Sequence, residues 1–157
     1  MMVISGGQSG ADQAGLIVAK AFGFDTGGWI PKGFKVQGGY DTSLGPRFGL
    51  VETDSVKYPP RTRLNVKNSD ATLILGDPDS RGCRLTRKLC SEYNRPVLIV
   101  QQSEPWVVSD ASVQSVLTFV KTEGVAVLNV AGNREESYPG IGKWAQSLLT
   151  EVFKLLD

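Results

Sequence analysis

Met2-Val3-Ile4-Ser5-Gly6-Gly7-Gln8-Ser9-Gly10-Ala11-Asp12 is the stretch on which the fold of this chain turns. Its first four residues form a short apolar run suited to a buried strand. After Asp12 the apolar residues Ala14, Ile17, Val18, Ala21 and Phe22 recur at helical spacing until Gly23 stops them. A glycine-rich turn therefore joins a strand to a helix. Glycine lets the backbone approach a guest with no Cβ in the way, and the N–H groups of a first helical turn, with the helix dipole behind them, face negative charge. Gly6, Gly7 and Gly10 supply the turn, Gln8 an amide and Ser9 a hydroxyl, while Asp12 places a negative charge where it suits the dipole. The spacing is neither G-x-G-x-x-G nor G-x-x-x-x-G-K-[ST], so neither a dinucleotide nor ATP follows from it. Tight strand-to-helix turns favour glycine in any α/β domain, so this one does not define a site alone.

The same grammar repeats downstream. Phe24 to Ile30 reads as a second strand, and Pro31 to about Gly49 as a long glycine-rich loop carrying Lys32, Lys35, Tyr40 and Arg47. Lys32, just past a strand end, is placed to extend a cation over the mouth of the glycine turn. Pro59 and Pro60 start a helix that runs to Asn68 and sets Arg61 and Asn65 on one face. Ala71 to Leu75 is a buried strand opening into the small-residue loop Gly76 to Cys83, ahead of a helix over Arg84 to Tyr93. Val97 to Val100 is nearly all apolar, the pattern of a strand covered on both faces. Asp110 caps the next helix, Val125 to Val130 is the fifth strand, and a polar loop from Ala131 to Ser137 leads into the most regular helix, from Ile141 to Leu156. Strands alternating with helices give an α/β fold: a Rossmann-like three-layer α/β/α arrangement on a mainly parallel sheet. Guests of such sheets bind outside the carboxyl ends of the strands, where the three glycine-bearing loops Gly6 to Gly10, Gly76 to Gly82 and Gly132 onward lie. Backbone donors there, with Lys32, Arg61, Arg81 and Arg134 beside them, suit a phosphate or another polyanionic group.

Composition bounds the function. With 157 residues and 41% hydrophobic content, one domain spanning 1–157 is the expectation. Lys and Arg number 17 against 16 Asp and Glu, and no cluster of four or more basic residues occurs, which argues against nucleic acid as a partner. No apolar run is long enough for a membrane span and no signal-peptide pattern opens the sequence, so a cytoplasmic protein is expected. The sequence has no histidine, which excludes a Ser-His-Asp triad, a Cys-His pair and any histidine-ligated metal. Cys83 and Cys90 fit no metal-ligand spacing and read as reduced thiols that share a helix face, Cys90 in the core.

Five blocks together resemble a known family. Gly6-Gly7-Gln8-Ser9-Gly10-Ala11-Asp12, Pro31-Lys32-Gly33, Arg61-Thr62-Arg63-Leu64-Asn65-Val66, Ser69 to Leu75, and Leu128 to Glu135 followed by Pro139-Gly140-Ile141 are similar, in order and across nearly the whole chain, to the molybdenum-cofactor carrier proteins. That family resembles the circularly permuted, YpsA-like branch of the SLOG superfamily, Rossmann-like domains related to the DprA and lysine-decarboxylase-like (LOG) proteins. The resemblance implies a pocket at the glycine turn and a homo-oligomer, dimer or tetramer. Carried over, the pocket residues are Gly6, Gly7, Gln8, Ser9, Gly10, Asp12, Lys32, Arg61, Thr62, Asn65, Gly132, Arg134 and Glu135. Four more, Arg81, Gly82, Cys83 and Thr86, come from the block where the family pattern reads G-G-T-x-L-T. Departures from the pattern are Ser9 for threonine, Ala71 for glycine, Asn133 for proline, and Arg81 for a small residue, which adds bulk and charge at the mouth.

Three functions compete. A carrier or sensor would hold a phosphate-bearing ligand, the molybdenum cofactor (molybdopterin) or a nucleotide, on the amides of Gly7 to Gly10 and on Arg61. A LOG-like hydrolase would cleave a nucleoside monophosphate at the N-glycosidic bond and needs a carboxylate poised at the ribose. After Gly82 the next acid is Glu92, so that role would fall to Asp12, Glu135 or Glu136, each better explained as a structural or surface charge. A purely structural module would leave the converging glycine loops without a purpose. The expectation is therefore binding, with no catalytic residue and no metal site assigned.

Overall fold

A computed structural model describes residues 1–103 and 105–156. In chain order the elements are β1 (Met2–Ile4), α1 (Ala11–Ala21), β2 (Asp25–Ile30), β3 (Lys35–Val36), β4 (Gly39–Tyr40), α2 (Leu44–Phe48), β5 (Leu50–Glu52), α3 (Tyr58–Lys67), β6 (Ala71–Leu75), α4 (Arg81–Glu92), β7 (Val97–Val100), α5 (Asp110–Thr122), β8 (Val127–Gly132) and α6 (Ile141–Lys154). Six strands form one sheet in the order β5-β2-β1-β8-β6-β7, every neighbouring pair parallel. Helices α1, α5 and α6 cover one face and α3 and α4 the other, which is the expected Rossmann-like α/β/α sandwich.

The apolar periods drive this packing. Ile141, Trp144, Ala145, Leu148, Leu149, Val152 and Phe153 of α6 are all buried, as their stripe requires. They meet Val3, Val18, Leu73 and Val130 in the main core. Each fully buried large side chain there contributes roughly 1.5–3 kcal/mol. Phe22 and Phe24, flanking Gly23 at the end of α1, both meet the Phe153 ring edge-on. On the opposite face Val66 of α3 packs with Leu89 and Cys90 of α4. Both cysteines are buried on α4, and burial pushes both thiols above their usual range.

The structure corrects four boundaries. The segment from Pro31 to Gly49 is not one loop: it folds into the β3–β4 hairpin and the short helix α2, whose Leu44 and Phe48 pack with Leu16, Ile30 and Leu50 in a second core. A sixth strand follows it, β5, pairing with β2 at the sheet edge. Its three residues follow the left-handed Gly49 with only Leu50 buried, too short a run for periodicity to detect. Helix α4 starts at Arg81, three residues before the apolar period, because the Ser80 hydroxyl accepts from the Cys83 N–H. Likewise Ser109, not Asp110, caps α5, accepting from the Ser112 N–H.

Strand β7 also differs from its reading. It lies at the other edge of the sheet with Val97 37% exposed, although its composition is that of a covered strand. Among the described residues no helix is long and apolar enough to cross a membrane.

Candidate functional site

All six strands of the main sheet being parallel, the loops after β1, β6 and β8 leave the same edge, and β1 and β8 are neighbours at the point where strand order reverses. Contact between these loops is direct. The Ala11 N–H donates to the Asn133 carbonyl at 3.1 Å, and the Glu135 N–H donates to Ser9 Oγ at 3.3 Å. Gly10 makes this approach possible: its φ is +82°, and a Cβ there would stand 2.4 Å from the Asn133 carbonyl oxygen.

Inside the turn the anion seat is already filled by the chain itself. The Gln8 N–H donates to Asp12 Oδ2 at 3.2 Å, and the Gly7 N–H donates to Ser5 Oγ at 3.2 Å. Arg61 closes the other side, its Nη1 3.4 Å from the same Asp12 oxygen. The guanidinium lies flat against Gly6, where a Cβ would be 1.9 Å from Nη1. Burial of Asp12 raises its pKa above the ordinary value, while Arg61, the Gln8 N–H and Arg134 pull it back down. Burial likewise lowers the pKa of Arg61, opposed by the Asp12 charge.

Just outside this pair the charge is of one sign. The Tyr58 ring, at the first residue of α3, has the Arg134 guanidinium 4.3 Å from its centroid, Lys35 Nζ at 5.1 Å and the Arg61 guanidinium at 5.4 Å. Three cations from three separate parts of the chain gather around one aromatic ring. Lys35 reaches it because the β3–β4 hairpin is latched to the glycine turn: Gln8 Nε2 donates to the Lys35 carbonyl at 2.9 Å and to the Gly6 carbonyl at 3.2 Å. Gln8 Oε1 and Arg61 Nε are buried with no hydrogen-bond partner among the described residues. An incomplete network next to excess positive charge is an arrangement that an anionic guest with further polar groups completes.

The other side of the edge is complete without a guest. Asn133 is 3% exposed and uses every polar atom it has. Its Oδ1 accepts from the Asp77 N–H at 2.6 Å, its Nδ2 donates to the Asp77 carbonyl at 3.1 Å and Ser80 Oγ at 3.2 Å, with Cys83 Sγ at 3.7 Å, and its own N–H donates to the Leu75 carbonyl. The N–H of Asp79 and the hydroxyl of Tyr138 hold the Asp77 carboxyl below its usual range.

The expected site residues thus divide. Gly6, Gly7, Gln8, Asp12, Arg61 and Arg134 come together at the Tyr58 mouth. Asn65 and Thr62 line the same helix but are engaged: Asn65 takes the Trp29 N–H on Oδ1 at 2.9 Å and donates to the Trp29 carbonyl at 3.0 Å, and Thr62 Oγ1 donates to the Tyr58 carbonyl. Glu135 caps α6, accepting from the N–H groups of Gly140 and Gly142 at 2.6 and 2.9 Å. Ser9 donates to the Glu136 carboxylate, facing away from Tyr58 toward α6, where with Gly10, Gln13, Gly140 and Lys143 it lines a separate groove of about 500 Å³. Cys83 and Thr86 are buried in α4, Thr86 donating to the Gly82 carbonyl, and Gly132 packs on the Leu75 carbonyl and Ala11. Arg81 and Gly82 are exposed at the start of α4, and Lys32 is exposed, anchored only through its N–H to the Ser55 carbonyl. Two members of the mouth were missed, Tyr58 and Lys35. The aromatic directly before Pro59-Pro60, one turn ahead of Arg61, is the local signal for the first. The second had none short of recognising the Gly38-Gly39 hairpin.

A parallel sheet whose strand order reverses beside β1, with a charged mouth at its carboxyl edge, defines a Rossmann-like α/β protein. Residues 3–153 match the model of the circularly permutated YpsA SLOG family, and the chain belongs to that family. A solved structure from Syntrophus aciditrophicus SB, described as "Putative molybdenum carrier protein", is similar at 33% identity over 97% of this chain and 93% of that one, with a TM-score of 0.82. No curated protein matches.

Proposed function

We propose that this protein binds a phosphate-bearing small molecule in the mouth around Tyr58, as a carrier or sensor. The convergence of Lys35, Arg61 and Arg134 on one ring, with Asp12, among the described residues, the one carboxylate ion-paired with any of them, carries the reading. The phosphate would lie on the outer cations and not on the turn amides, because Asp12 and Ser5 already hold those of Gln8 and Gly7. The name of the similar structure makes molybdenum cofactor the first cargo to try, and a nucleotide the second. Among the described residues no three His, Cys, Asp or Glu side chains cluster as metal ligands. The cations of the mouth would recognise such a cargo through its phosphate.

The hydrolase reading is weaker on geometry. Asp12 is 5% exposed and bound to Arg61, and Glu135 is held by the α6 amides, so neither carboxylate is poised for a ribose. Supporting the homo-oligomer is the half-covered apolar strand β7 at the sheet edge, a surface that light scattering on the purified chain tests. The binding reading is tested by thermal melts with inorganic phosphate, nucleotides and molybdopterin-type ligands. A guest bound only by the native state raises the melting temperature, and Arg61→Ala is expected to abolish the rise. Release of free base from a nucleoside monophosphate would favour the hydrolase instead.

A further inference from the structure

The mouth is charged beyond what its own carboxylate can balance. Arg61 is neutralised by Asp12 at 3.4 Å, and among the described residues neither Lys35 nor Arg134 has a carboxylate within ion-pair distance. Among the described residues Lys35 Nζ donates to the Val56 carbonyl alone, at 3.2 Å. The other acids of the neighbourhood are engaged elsewhere, Glu135 on the α6 amides and Glu136 on the Ser9 hydroxyl. Two positive charges thus stand beside one Tyr58 ring, 5.1 and 4.3 Å from its centroid, and such a pair is held there at a repulsive cost that a doubly charged guest removes.

We infer that the mouth selects a dianionic phosphate monoester over a monoanionic phosphodiester, Lys35 and Arg134 each taking one of the guest's two charges. This rests on the proposed phosphate-binding reading and names the class of phosphate within it. Two neutral-pH ligands differing in little else separate the classes: 5′-AMP carries a terminal monoester and 3′,5′-cyclic AMP a diester on the same base and sugar. A monoester loses its second charge near pH 6, whereas sulfate remains a dianion across the pH range of the experiment. Asp12, whose burial favours the protonated form, makes the mouth more positive when it takes up a proton, so the protein's own carboxyl acts in the direction opposite to the one expected for AMP.

Titration calorimetry on the full chain with 5′-AMP, 3′,5′-cyclic AMP, inorganic phosphate and sulfate tests this. At pH 7.5 AMP is expected to bind about tenfold or more tightly than cyclic AMP, the order of one charge-assisted contact. Between pH 7.5 and 5.0 AMP is expected to weaken about tenfold relative to sulfate, following the loss of its second charge. Lys35→Gln and Arg134→Gln are each expected to bring the AMP to cyclic AMP ratio toward one. The Gln8 latch holds Lys35 through its carbonyl and is untouched by the first substitution. Equal affinity for AMP and cyclic AMP, an AMP advantage that survives at pH 5.0, or a ratio unchanged in both variants would overturn the selection while leaving phosphate binding intact. Failure of all four ligands to bind would overturn the binding reading and this inference with it.

Discussion

Two regions of one sheet edge, the Tyr58 mouth beside β1 and the Asn133 knot between β6 and β8, look alike along the chain and are unlike in space. Both begin as a strand running into a loop of glycine and small polar residues. In the knot every polar atom of Asn133 meets a partner, and the loops are closed onto each other. In the mouth three cations gather around a ring, and Gln8 Oε1 and Arg61 Nε stand without partners. A complete buried network specifies a structure, while an incomplete one beside unbalanced charge leaves work for a ligand. The comparison also separates two uses of glycine. A Cβ on Gly132 would meet the Leu75 backbone carbonyl at 2.1 Å, whereas one on Gly6 would meet the movable end of Arg61.

The sharpest break of this contrast is substitution of the two glycines. Gly132→Ala forces a Cβ onto backbone at φ +152° and is expected to destabilise by about 3 kcal/mol or more, read as a fall in the urea midpoint. Next, Asn133→Ala strands the Asp77 N–H and is expected to cost about 2 kcal/mol of stability while leaving phosphate affinity at the mouth unchanged. A large loss of affinity in that variant would show that knot and mouth are one site.

Gly6→Ala is expected to cost less stability, about 1 kcal/mol, because the Cβ meets the movable end of Arg61 and not backbone, but its effect on binding is larger. Because Arg61 is displaced from its seat, phosphate binding weakens about tenfold, by calorimetry. The smallest effect is in pH. The Asp12 pKa is raised in the folded state, so between its ordinary 3.8 and its folded value the native chain holds a proton that the unfolded chain releases. The stability Asp12 contributes is thus fully present below 3.8 and declines as pH rises through that window. Asp12→Asn is expected to flatten this component, seen as a difference between the two melting-temperature profiles.

Much of this was legible in the residues. The alternation of apolar strands and periodic helices gave the layered α/β class, and the regular apolar period of α6 predicted a buried helix there, which ends two residues before the expected Leu156. Helix starts were shifted where a serine hydroxyl, at Ser80 and Ser109, outran the hydrophobic period. The mouth was half visible: Arg61 and Arg134 stood out as cations near glycine loops. Lys35 and Tyr58 did not, since neither belongs to a periodic element whose face can be inferred.

Sequence by itself determined which segments bury and which turn, because those depend on the spacing of apolar side chains and on glycine at a few backbone positions. It could not determine that β7 lies at an edge, that Glu135 faces the α6 amides, or that a lysine from a two-residue strand shares a ring with arginines from α3 and from the loop after β8. Those outcomes depend on distances between residues far apart in the chain. Only the closed sheet sets such distances, and with them whether a polar atom finds its partner within the protein or is left for a guest.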